Sequence, residues 1–309
     1  MFHLIWEWVT GINPFVLFVY KKHRSKFNIL RLHIYALLFL PSIMFFVLSS
    51  KQHLCKAMLT VFWFCIASSL AEAQKPDMVI ILKMDDLEYK NPSFVQNWER
   101  YMDTIRSYRI NSGLGVIMDH IAEAPQPFKD SLAAWHLGPF FELWHHGWDH
   151  TRLNYPPDLT NKGEFSGTPY EYQKAHFENT ISFAHEELGV QLRTFGAPYN
   201  QTDEVFARVI SESESIKVWM YCKDPSYAGL CLLRGPSNML ESQTGVVSFE
   251  SFLTGYKANT NPYLVLQGHP GKWDDSSFQA FEKVINYLKD RNHTFMLPYD
   301  YYLHREASR

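Results

Sequence analysis

Short apolar runs alternate with amphipathic stretches from Pro76 to the end of the chain. Apolar runs between turn residues favour buried strands, whereas apolar residues three and four positions apart favour helices. The pattern predicts strands at residues 78–82, 113–118, 140–143, 192–195, 216–221, 230–233, 263–266 and 294–296. It predicts helices at residues 92–108, 127–135, 168–188, 203–211 and 276–289, and a loop rich in Pro, Asn and Gly at residues 155–167. Repeated strand–helix units within one domain indicate a parallel sheet with helices outside.

The first 73 residues follow a different pattern, in which apolar segments are separated by basic clusters. Residues 58–70 form a short apolar core that leads into the sequence Ala-Glu-Ala at residues 71–73. A basic flank, a short apolar core and an Ala-x-Ala end are the parts of a secretory signal peptide. Met58 would be the start of this signal, and cleavage after residue 73 would leave Gln74 as the first residue.

Residues 1–57 leave two alternatives open. They are either an over-extended start of the gene or one or two membrane spans, since residues 27–50 are long enough to cross a bilayer. We favour export through residues 58–73, with membrane anchoring as the alternative. Both place the folded domain, residues 74–309, outside the cytoplasm, as a periplasmic, cell-surface or secreted protein.

Composition narrows the function classes. The 309 residues are 46% hydrophobic, which is enough for one sizeable core. A formal net charge of -3 gives no indication of a nucleic-acid partner. Aromatic residues make up 16% of the chain, with nine Trp. Such residues suit either a packed core or a groove that stacks on sugar rings, and composition does not separate the two.

Four cysteines are present, of which Cys55 and Cys65 fall in the export region. Cys222 and Cys231 lie nine residues apart in the folded domain. In an oxidising compartment they would close a short loop as a disulfide. Two free, partly buried thiols are the alternative, and the sequence leaves both open.

Two histidines four residues apart, His146 and His150, are the first sign of chemistry. On a helical turn this spacing places both rings on one face, where they can share one metal ion. Catalytic zinc usually has three protein ligands and one open position for water, so the pair requires a third ligand. Two polar residues on a solvated helix face are the simpler interpretation of the pair alone.

Two adjacent carboxylates, Asp85 and Asp86, follow the apolar run at residues 78–84. The carboxyl end of a buried strand is where α/β barrels place catalytic residues. An acidic residue after a strand is also a common helix N-cap. The order of the two motifs and their positions at strand ends together favour a metal-dependent active site.

Four ordered segments resemble the polysaccharide deacetylase family, which has the NodB homology domain and is also called carbohydrate esterase family 4. They are Asp85-Asp86, His146-x-x-x-His150, the Phe-Gly-Ala-Pro-Tyr sequence at 195–199 and the Leu-Gln-Gly-His-Pro sequence at 266–270. The resemblance extends from residue 78 to 302, and residues 295–302 resemble the last strand and closing helix of the family. It implies a distorted (β/α) barrel, a single domain after the N-terminal hydrophobic region. It also implies a metal-dependent hydrolase that removes N- or O-linked acetyl groups from a glycan or sugar.

The resemblance also implies roles for individual residues. The ligands of Zn²⁺, or of another divalent metal ion, would be Asp86, His146 and His150. Asp85 would be the general base, His269 would protonate the leaving group, and the backbone amide of Tyr199 would face the oxyanion. The chemistry requires these residue types, since an amide or ester carbonyl must be polarised, water deprotonated and the leaving group protonated. Four further residues are expected to contact substrate: Trp148, Pro198, Trp219 and Trp273. Each of the three tryptophans also suits packing.

The sequence departs from the family at one important position. The third motif usually carries an arginine that pairs with the base, and this chain has Gly196 there. A nearby cation keeps such an acid ionised, and Arg193, three residues earlier, is a candidate replacement. The family motif Asp-x-x-x-Trp has no clear counterpart. A carbohydrate-binding protein that has lost turnover is therefore one alternative, and a hydrolase of another non-peptide C–N bond is a second. The retention of both acids, both ligand histidines and His269 favours an enzyme.

Overall fold

A computed structural model of the chain describes residues 77–153, 162–224, 226–235 and 240–309. The described residues belong to one compact unit, Lys75–Arg309. The export signal predicted at residues 58–73, both alternatives for residues 1–57, and Cys55 and Cys65 lie outside the described residues. None of the helices in the described ranges is long and apolar enough to cross a membrane.

Most strands of the described residues belong to one parallel sheet. The strands are β1 (Val79–Leu87), β2 (Ser112–Val116), β3 (Phe141–His145), β4 (Arg152–Leu153), β5 (Lys162–Gly163), β6 (Thr194–Gly196), β7 (Val218–Met220), β8 (Leu230–Leu232), β9 (Glu241–Gln243), β10 (Val246–Val247), β11 (Tyr263–Gly268) and β12 (Thr294–Phe295). The order in the sheet is β11-β1-β2-β3-β6-β7-β8, with β12 also paired to β1. All pairs within it are parallel, whereas β4–β5 and β9–β10 are small antiparallel hairpins.

Eight α-helices accompany these strands in the described residues. They are α1 (Pro92–Tyr108), α2 (Met118–Ala122), α3 (Gln126–Leu137), α4 (Tyr170–Leu188), α5 (Glu204–Ser211), α6 (Phe249–Ala258), α7 (Asp275–Lys289) and α8 (Pro298–Ala307). Side-chain caps begin several of them: Asn91 accepts from the amide of Phe94 at the start of α1, and Asp274 accepts from that of Ser277 at α7. A curled parallel sheet with helices outside confirms the predicted distorted (β/α) barrel.

Strand β1 shows why the sheet is buried on both faces. Its side chains alternate between two hydrophobic clusters, as the twofold repeat of a strand requires. Ile80, Leu82 and Met84 pack with residues of the surrounding helices, whereas Ile81 packs with Trp144 and other residues inside the barrel. Each such aliphatic side chain contributes roughly 1.5–3 kcal/mol when fully buried. The alternation places Lys83 and Asp85 on the same interior face as Ile81.

Glycines make room for one large ring inside the barrel. Trp144 is fully buried and lies against Gly113 and Gly115 of β2 and Gly196 of β6. A Cβ atom at Gly115 would be 2.4 Å from Cζ2 of Trp144, and one at Gly196 would be 2.9 Å from its Cζ3. Real Cβ contacts are not this close, so β2 and β6 can pass the Trp144 ring only where they carry glycine. The ring thus packs against polar side chains inside the barrel, such as Lys83.

The predicted elements largely agree with those observed. The helix predicted at residues 92–108 matches α1 exactly in its bounds, and the predicted strands differ from the observed ones by a few residues at their ends. The hairpins β4–β5 and β9–β10 were not predicted, because strands of two or three residues carry almost no periodic signal. Helices α2 and α6 were not predicted either. Cys222 and Cys231 form a disulfide, with Cα atoms 5.3 Å apart, so the bonded alternative holds.

Candidate active site

A polar cavity of about 280 Å³ opens where the parallel strands end. Its walls come from the carboxyl ends of β1, β3, β6 and β11, from the hairpin β9–β10 and from the segment after β8. This is the edge at which α/β barrels place their active sites. The five residues predicted to bind metal or transfer protons line it, as do Tyr199 and seven others. The full set is Asp85, Asp86, His146, His150, Tyr199, His269, Asn200, Arg234, Glu241, Gln243, Thr244, Gln267 and Lys272.

Three donor atoms converge at one side of this cavity. The Nε2 atoms of His146 and His150 each lie 3.2 Å from Oδ1 of Asp86. Ligand atoms about 2.0–2.1 Å from a tetrahedral ion lie roughly 3.3 Å from one another. Two imidazole nitrogens and one carboxylate oxygen are also ligands that zinc prefers, with a further position open to the cavity. These residues therefore fit a divalent cation such as zinc.

The protonation of His146 supports the same conclusion. Its Nδ1 lies 2.7 Å from the carbonyl oxygen of Gly196, which can only accept, so Nδ1 carries the proton. Burial lowers the pKa of His146, which makes the ring neutral and leaves a lone pair on Nε2. That lone pair faces the carboxylate of Asp86. Two acceptors that face each other at 3.2 Å are an arrangement that a bound cation satisfies.

The two histidines do not lie on a helical turn, so that part of the prediction was wrong. They lie on the loop after β3, where Gly147 has φ +93° and His150 has φ +52°. Glu164 stabilises this loop, because its carboxylate accepts hydrogen bonds from the backbone N–H of Trp148 at 2.6 Å and from that of His150 at 3.0 Å. The reversal of the loop, rather than a helical repeat, brings the two rings to a centroid distance of 5.1 Å.

A second group of possible donors lies beneath this loop: Asp149, Glu164 and His176. Glu164 is fully buried, and its oxygens are already bonded to the two loop amides and to Nδ1 of His176 at 3.2 Å. The group therefore supports the loop that carries His150.

Asp86 has an unusual backbone conformation and two different environments for its oxygens. Its φ of +65° lies in the left-handed region, which is uncommon for residues other than glycine and recurs at functional sites. Oδ1 faces the two histidines, whereas Oδ2 accepts from Nζ of Lys272 at 2.7 Å. Burial disfavours the charged form of Asp86, but the adjoining His146 and His150 outweigh this effect and hold the pKa of Asp86 well below its usual range. Asp86 is therefore an anion.

Asp85, the residue before Asp86 on β1, also faces the cavity and is almost completely buried. Both of its oxygens accept from Nζ of Lys83, at 2.7 and 2.6 Å, and Oδ2 also accepts from Nε2 of Gln267 at 2.7 Å. Burial lowers the pKa of Lys83, while the charge of Asp85 opposes this effect. Asp85 and Asp86, although adjacent, thus point to different partners.

Arg193 does not approach Asp85. Its guanidinium donates to Oε1 of Gln191 at 2.5 Å and to the carbonyl of Ser215 at 3.4 Å, and it lies over the ring of Tyr299. Arg193, which the sequence left open as a replacement for the arginine of the family, therefore does not take that role. Arg193 is at the start of β6, at the opposite end of the strand from the cavity.

His269 is paired with a carboxylate that the sequence did not identify. Nδ1 of His269 lies 2.6 Å from Oε2 of Glu241, whose Oε1 accepts the backbone N–H of His269 at 2.7 Å. The indole N–H of Trp273 also donates to that oxygen, at 2.6 Å. Burial opposes the charged ring, but the hydrogen bond that Nδ1 donates to Glu241 and the charge of Asp85 outweigh it and raise the pKa of His269. Glu241 therefore orients the ring and favours its protonated form.

Tyr199 and Asn200 form a short turn after β6 in which both residues have φ 55°. The ring of Tyr199 lies 4.5 Å from that of His150, and its hydroxyl donates to the carbonyl of His150 at 3.0 Å. Nδ2 of Asn200 donates to Oε1 of Gln267 at 3.1 Å. The turn thus faces the donor group, while the role of the Tyr199 amide stays a prediction.

The four residues expected to contact substrate are not among the cavity residues named above. Trp219 is buried in the hydrophobic core against Phe206, and Trp273 is buried against Phe281 with its N–H on Glu241. Trp148 is partly buried and packs on Phe183, and Pro198 is buried at the start of the turn that carries Tyr199. Packing, the alternative stated for the three tryptophans, accounts for their positions.

Sequence reasoning missed the partners of the predicted residues more than the residues themselves. Lys83 had a usable signal, because it interrupts the apolar run of β1 at the same face as Asp85. Gln267 also had one, as it lies within the fourth motif. Glu241 and Glu164 had none, since each lies 14 or more residues from the group that it supports.

Comparisons with known proteins bear on the fold. No protein-family model matches the sequence, and no curated protein matches it either. Among solved structures, one similar chain is the carbohydrate esterase family 4 domain of a multidomain xylanase from the hindgut metagenome of Trinervitermes trinervoides. It is 14% identical with a TM-score of 0.50, and the match covers 75% of this chain and 92% of that domain.

A carbohydrate esterase family 4 pseudoenzyme from Bacillus anthracis is also similar. It is 9% identical with a TM-score of 0.50, over 74% of this chain and 66% of that one. A mutant of the same protein with restored enzymatic activity is 10% identical, also with a TM-score of 0.50, over 74% and 68%. The chain therefore has the fold of the carbohydrate esterase family 4 domains, as the motif resemblance implied.

Proposed function

We propose that this chain is a metal-dependent hydrolase that removes N- or O-linked acetyl groups from a carbohydrate. One observation carries the proposal: a group of three metal donors, a buried carboxylate and a carboxylate-paired histidine line the same cavity. Hydrolysis of an amide or ester needs a polarised carbonyl, a proton acceptor for water and a proton donor for the leaving group. Each of these needs corresponds to one element of the site.

The donor group and Asp85 act on the water and the carbonyl. A divalent ion held by Asp86, His146 and His150 would polarise the acetyl carbonyl and make the attacking water easier to deprotonate. Asp85 accepts the proton, because its Oδ2 lies only 3.7 Å from Nε2 of His146, at the edge of the donor group. The backbone N–H of Tyr199 stabilises the oxyanion that develops on the carbonyl oxygen.

His269 protonates the leaving nitrogen or oxygen of the sugar. Glu241 holds Nδ1, so Nε2 is the nitrogen available to donate toward the cavity. The raised pKa of His269 keeps this proton in place near neutral pH. A proton donor and a proton acceptor thus line the same cavity, which general acid–base catalysis requires.

The substrate is proposed to be an acetylated glycan or sugar, in keeping with a fold shared with a xylanase-associated esterase domain. Tyr199 is the one aromatic residue among the cavity residues in the described part of the chain. The sugar is therefore proposed to be bound by hydrogen bonds to polar groups such as Arg234, Gln243 and Thr244, and not by stacking on tryptophan.

Two alternatives use the same cavity. The Bacillus anthracis protein is described as a pseudoenzyme, so this fold alone does not establish turnover. Here both acids, both ligand histidines and His269 are in place, which favours an enzyme over a protein that only binds carbohydrate. A hydrolase of another non-peptide C–N bond would use the same residues and differ only in substrate.

The test combines metal analysis with acetate release. Purified protein should hold about one divalent ion and release acetate from N- or O-acetylated oligosaccharides, but not ammonia or amines from unacetylated amides. Asp85→Asn should keep the metal and lose roughly a hundred- to ten-thousand-fold in turnover. Asp86→Asn should lose metal as well. Normal turnover by Asp85→Asn would contradict the proposal, and tight glycan binding without acetate release would favour the binding protein.

We also propose that residues 74–309 are the exported catalytic domain. The signal-like segment at residues 58–73 and the Cys222–Cys231 disulfide support this, since disulfides persist in oxidising compartments. Sequencing the N-terminus of the protein recovered from outside the cytoplasm should give Gln74 as the first residue. A soluble cytoplasmic product of full length would contradict export.

A further inference from the structure

A lysine side chain is completely buried beside the proposed base. Lys83 has no exposed surface, and its Nζ contacts both carboxylate oxygens of Asp85, at 2.7 and 2.6 Å. The same nitrogen donates to Oδ1 of Asn200 at 3.3 Å. The rings of Trp144 and Tyr221 lie 4.9 and 5.1 Å from it. Acceptors and ring faces thus surround the ammonium group.

A charge at this position is not explained by packing. Burying an unpaired ammonium costs several kcal/mol, and a buried ion pair is often no more stabilising than a pair of apolar residues. Ile81, two positions earlier on the same face of β1, is apolar and packs well. A residue of that kind at position 83 would fill the barrel without the cost of desolvating a charge. The charge therefore has a purpose other than stability.

The space around Gly196 shows what that purpose is. A Cβ atom at Gly196 would lie 3.1 Å from Cε of Lys83 and 2.9 Å from Cζ3 of Trp144. Lys83 thus occupies the volume into which a side chain at position 196 would extend. In the family motif, position 196 carries the arginine that pairs with the general base. Arg193 lies outside the cavity.

We propose that Lys83 is the cation that positions the Asp85 carboxylate, supplied from β1 in place of the arginine expected on β6. This rests on the proposed function, in which Asp85 is the base. One nitrogen that bonds both oxygens fixes the plane of the carboxylate, and Gln267 fixes its rotation through Oδ2. Lys83 is a positioning residue, since its Nζ lies behind Asp85 and has no exposed surface.

The test is Lys83→Met, which keeps the length and the apolar stem of the side chain and removes its charge. Asp85 then loses its contacts with Nζ and retains Gln267, so kcat should fall roughly a hundredfold, at the lower end for loss of a general base. KM and bound metal should not change, because the donor group and the cavity walls are untouched. Arg193→Met is the matched control and should retain full activity.

The double variant Lys83→Met/Asp85→Asn separates positioning from a general structural effect. If Lys83 acts through Asp85, the double variant should be no less active than Asp85→Asn alone, because residues that act as a unit are not additive. The double variant also contains no unpaired buried charge, so its melting temperature should exceed that of Lys83→Met. Multiplied losses in kcat would overturn the proposal.

Failure of this inference is distinguishable from failure of the proposed function. Activity of Lys83→Met within about twofold of the Arg193→Met control, beside an inactive Asp85→Asn, would overturn the role of Lys83 alone. Wild-type activity in Asp85→Asn would instead overturn the role of Asp85 and the proposed function with it.

Discussion

The metal-donor half of the cavity and its proton-transfer half are built on different principles. The donor half consists of Asp86, His146 and His150, and it depends on backbone conformation: a left-handed residue at the end of β1 and a reversed loop after β3. The proton-transfer half consists of Asp85 and His269, and it depends on buried charge pairs with Lys83 and Glu241. Damage to the first half should therefore appear as lost metal, and damage to the second as lost rate.

The largest effect should follow removal of one donor. His150→Ala deletes an Nε2 that lies 3.2 Å from Asp86, while the ring is only partly buried, so the fold should persist. Two ligands hold zinc far more weakly than three, so most of the metal and nearly all activity should be lost. Metal content by atomic emission and the melting temperature check this. His120→Ala, at a histidine outside the cavity residues, is the control, and full metal occupancy in His150→Ala would refute the donor assignment.

A smaller effect should follow damage to the support of the donor half. Glu164→Gln replaces one of the two oxygens that accept the amides of Trp148 and His150, so one loop hydrogen bond is lost. Residues that orient metal ligands typically contribute ten- to a hundredfold in affinity, and about that loss of zinc affinity is expected. At saturating zinc, turnover should return to within a few-fold of the wild type. A deficit in kcat that persists at saturating zinc would show that the two halves are not separable in this way.

How much of this site the sequence could predict follows the same division. Asp85, Asp86, His146, His150 and His269 were identified because their types and spacing are local properties of the chain. Their orientation was not, because it depends on contacts across the fold.

Two examples show the limit. Glu241 lies on a hairpin of two- and three-residue strands, and the packing of that hairpin against helices α6 and α7 brings it to His269. The loop of His146 and His150 was predicted as a helical turn, since i,i+4 spacing does not distinguish a helix from a loop that Gly147 reverses. The β1 strand was predicted from apolar content, yet its interior face carries the charge pair of Lys83 and Asp85.

The sharpest comparison of the two halves comes from pH. His269 must carry a proton to serve as the acid, so the rate falls as pH rises through its pKa. That pKa is raised above the ordinary 6.5, despite burial, by the hydrogen bond that His269 donates to Glu241 and by the charges of Asp85 and Asp86. The alkaline limb of kcat against pH should therefore lie above pH 6.5 if His269 sets it.

Glu241→Gln keeps a hydrogen-bond partner near Nδ1 and removes its negative charge. The charged ring is then less favoured, the pKa of His269 falls, and the alkaline limb should move to lower pH. Above the limb the variant should be slower than the wild type, whereas below it the two should differ little. Metal content should be unchanged, because these hydrogen bonds of Glu241 go to His269 and Trp273 and not to the three metal donors. Glu241→Asp, which keeps the charge, is the matched control and should retain the wild-type limb. A limb that stays in place in Glu241→Gln, or a parallel loss at every pH, would mean that Glu241 only supports the hairpin and that a group other than His269 donates the proton.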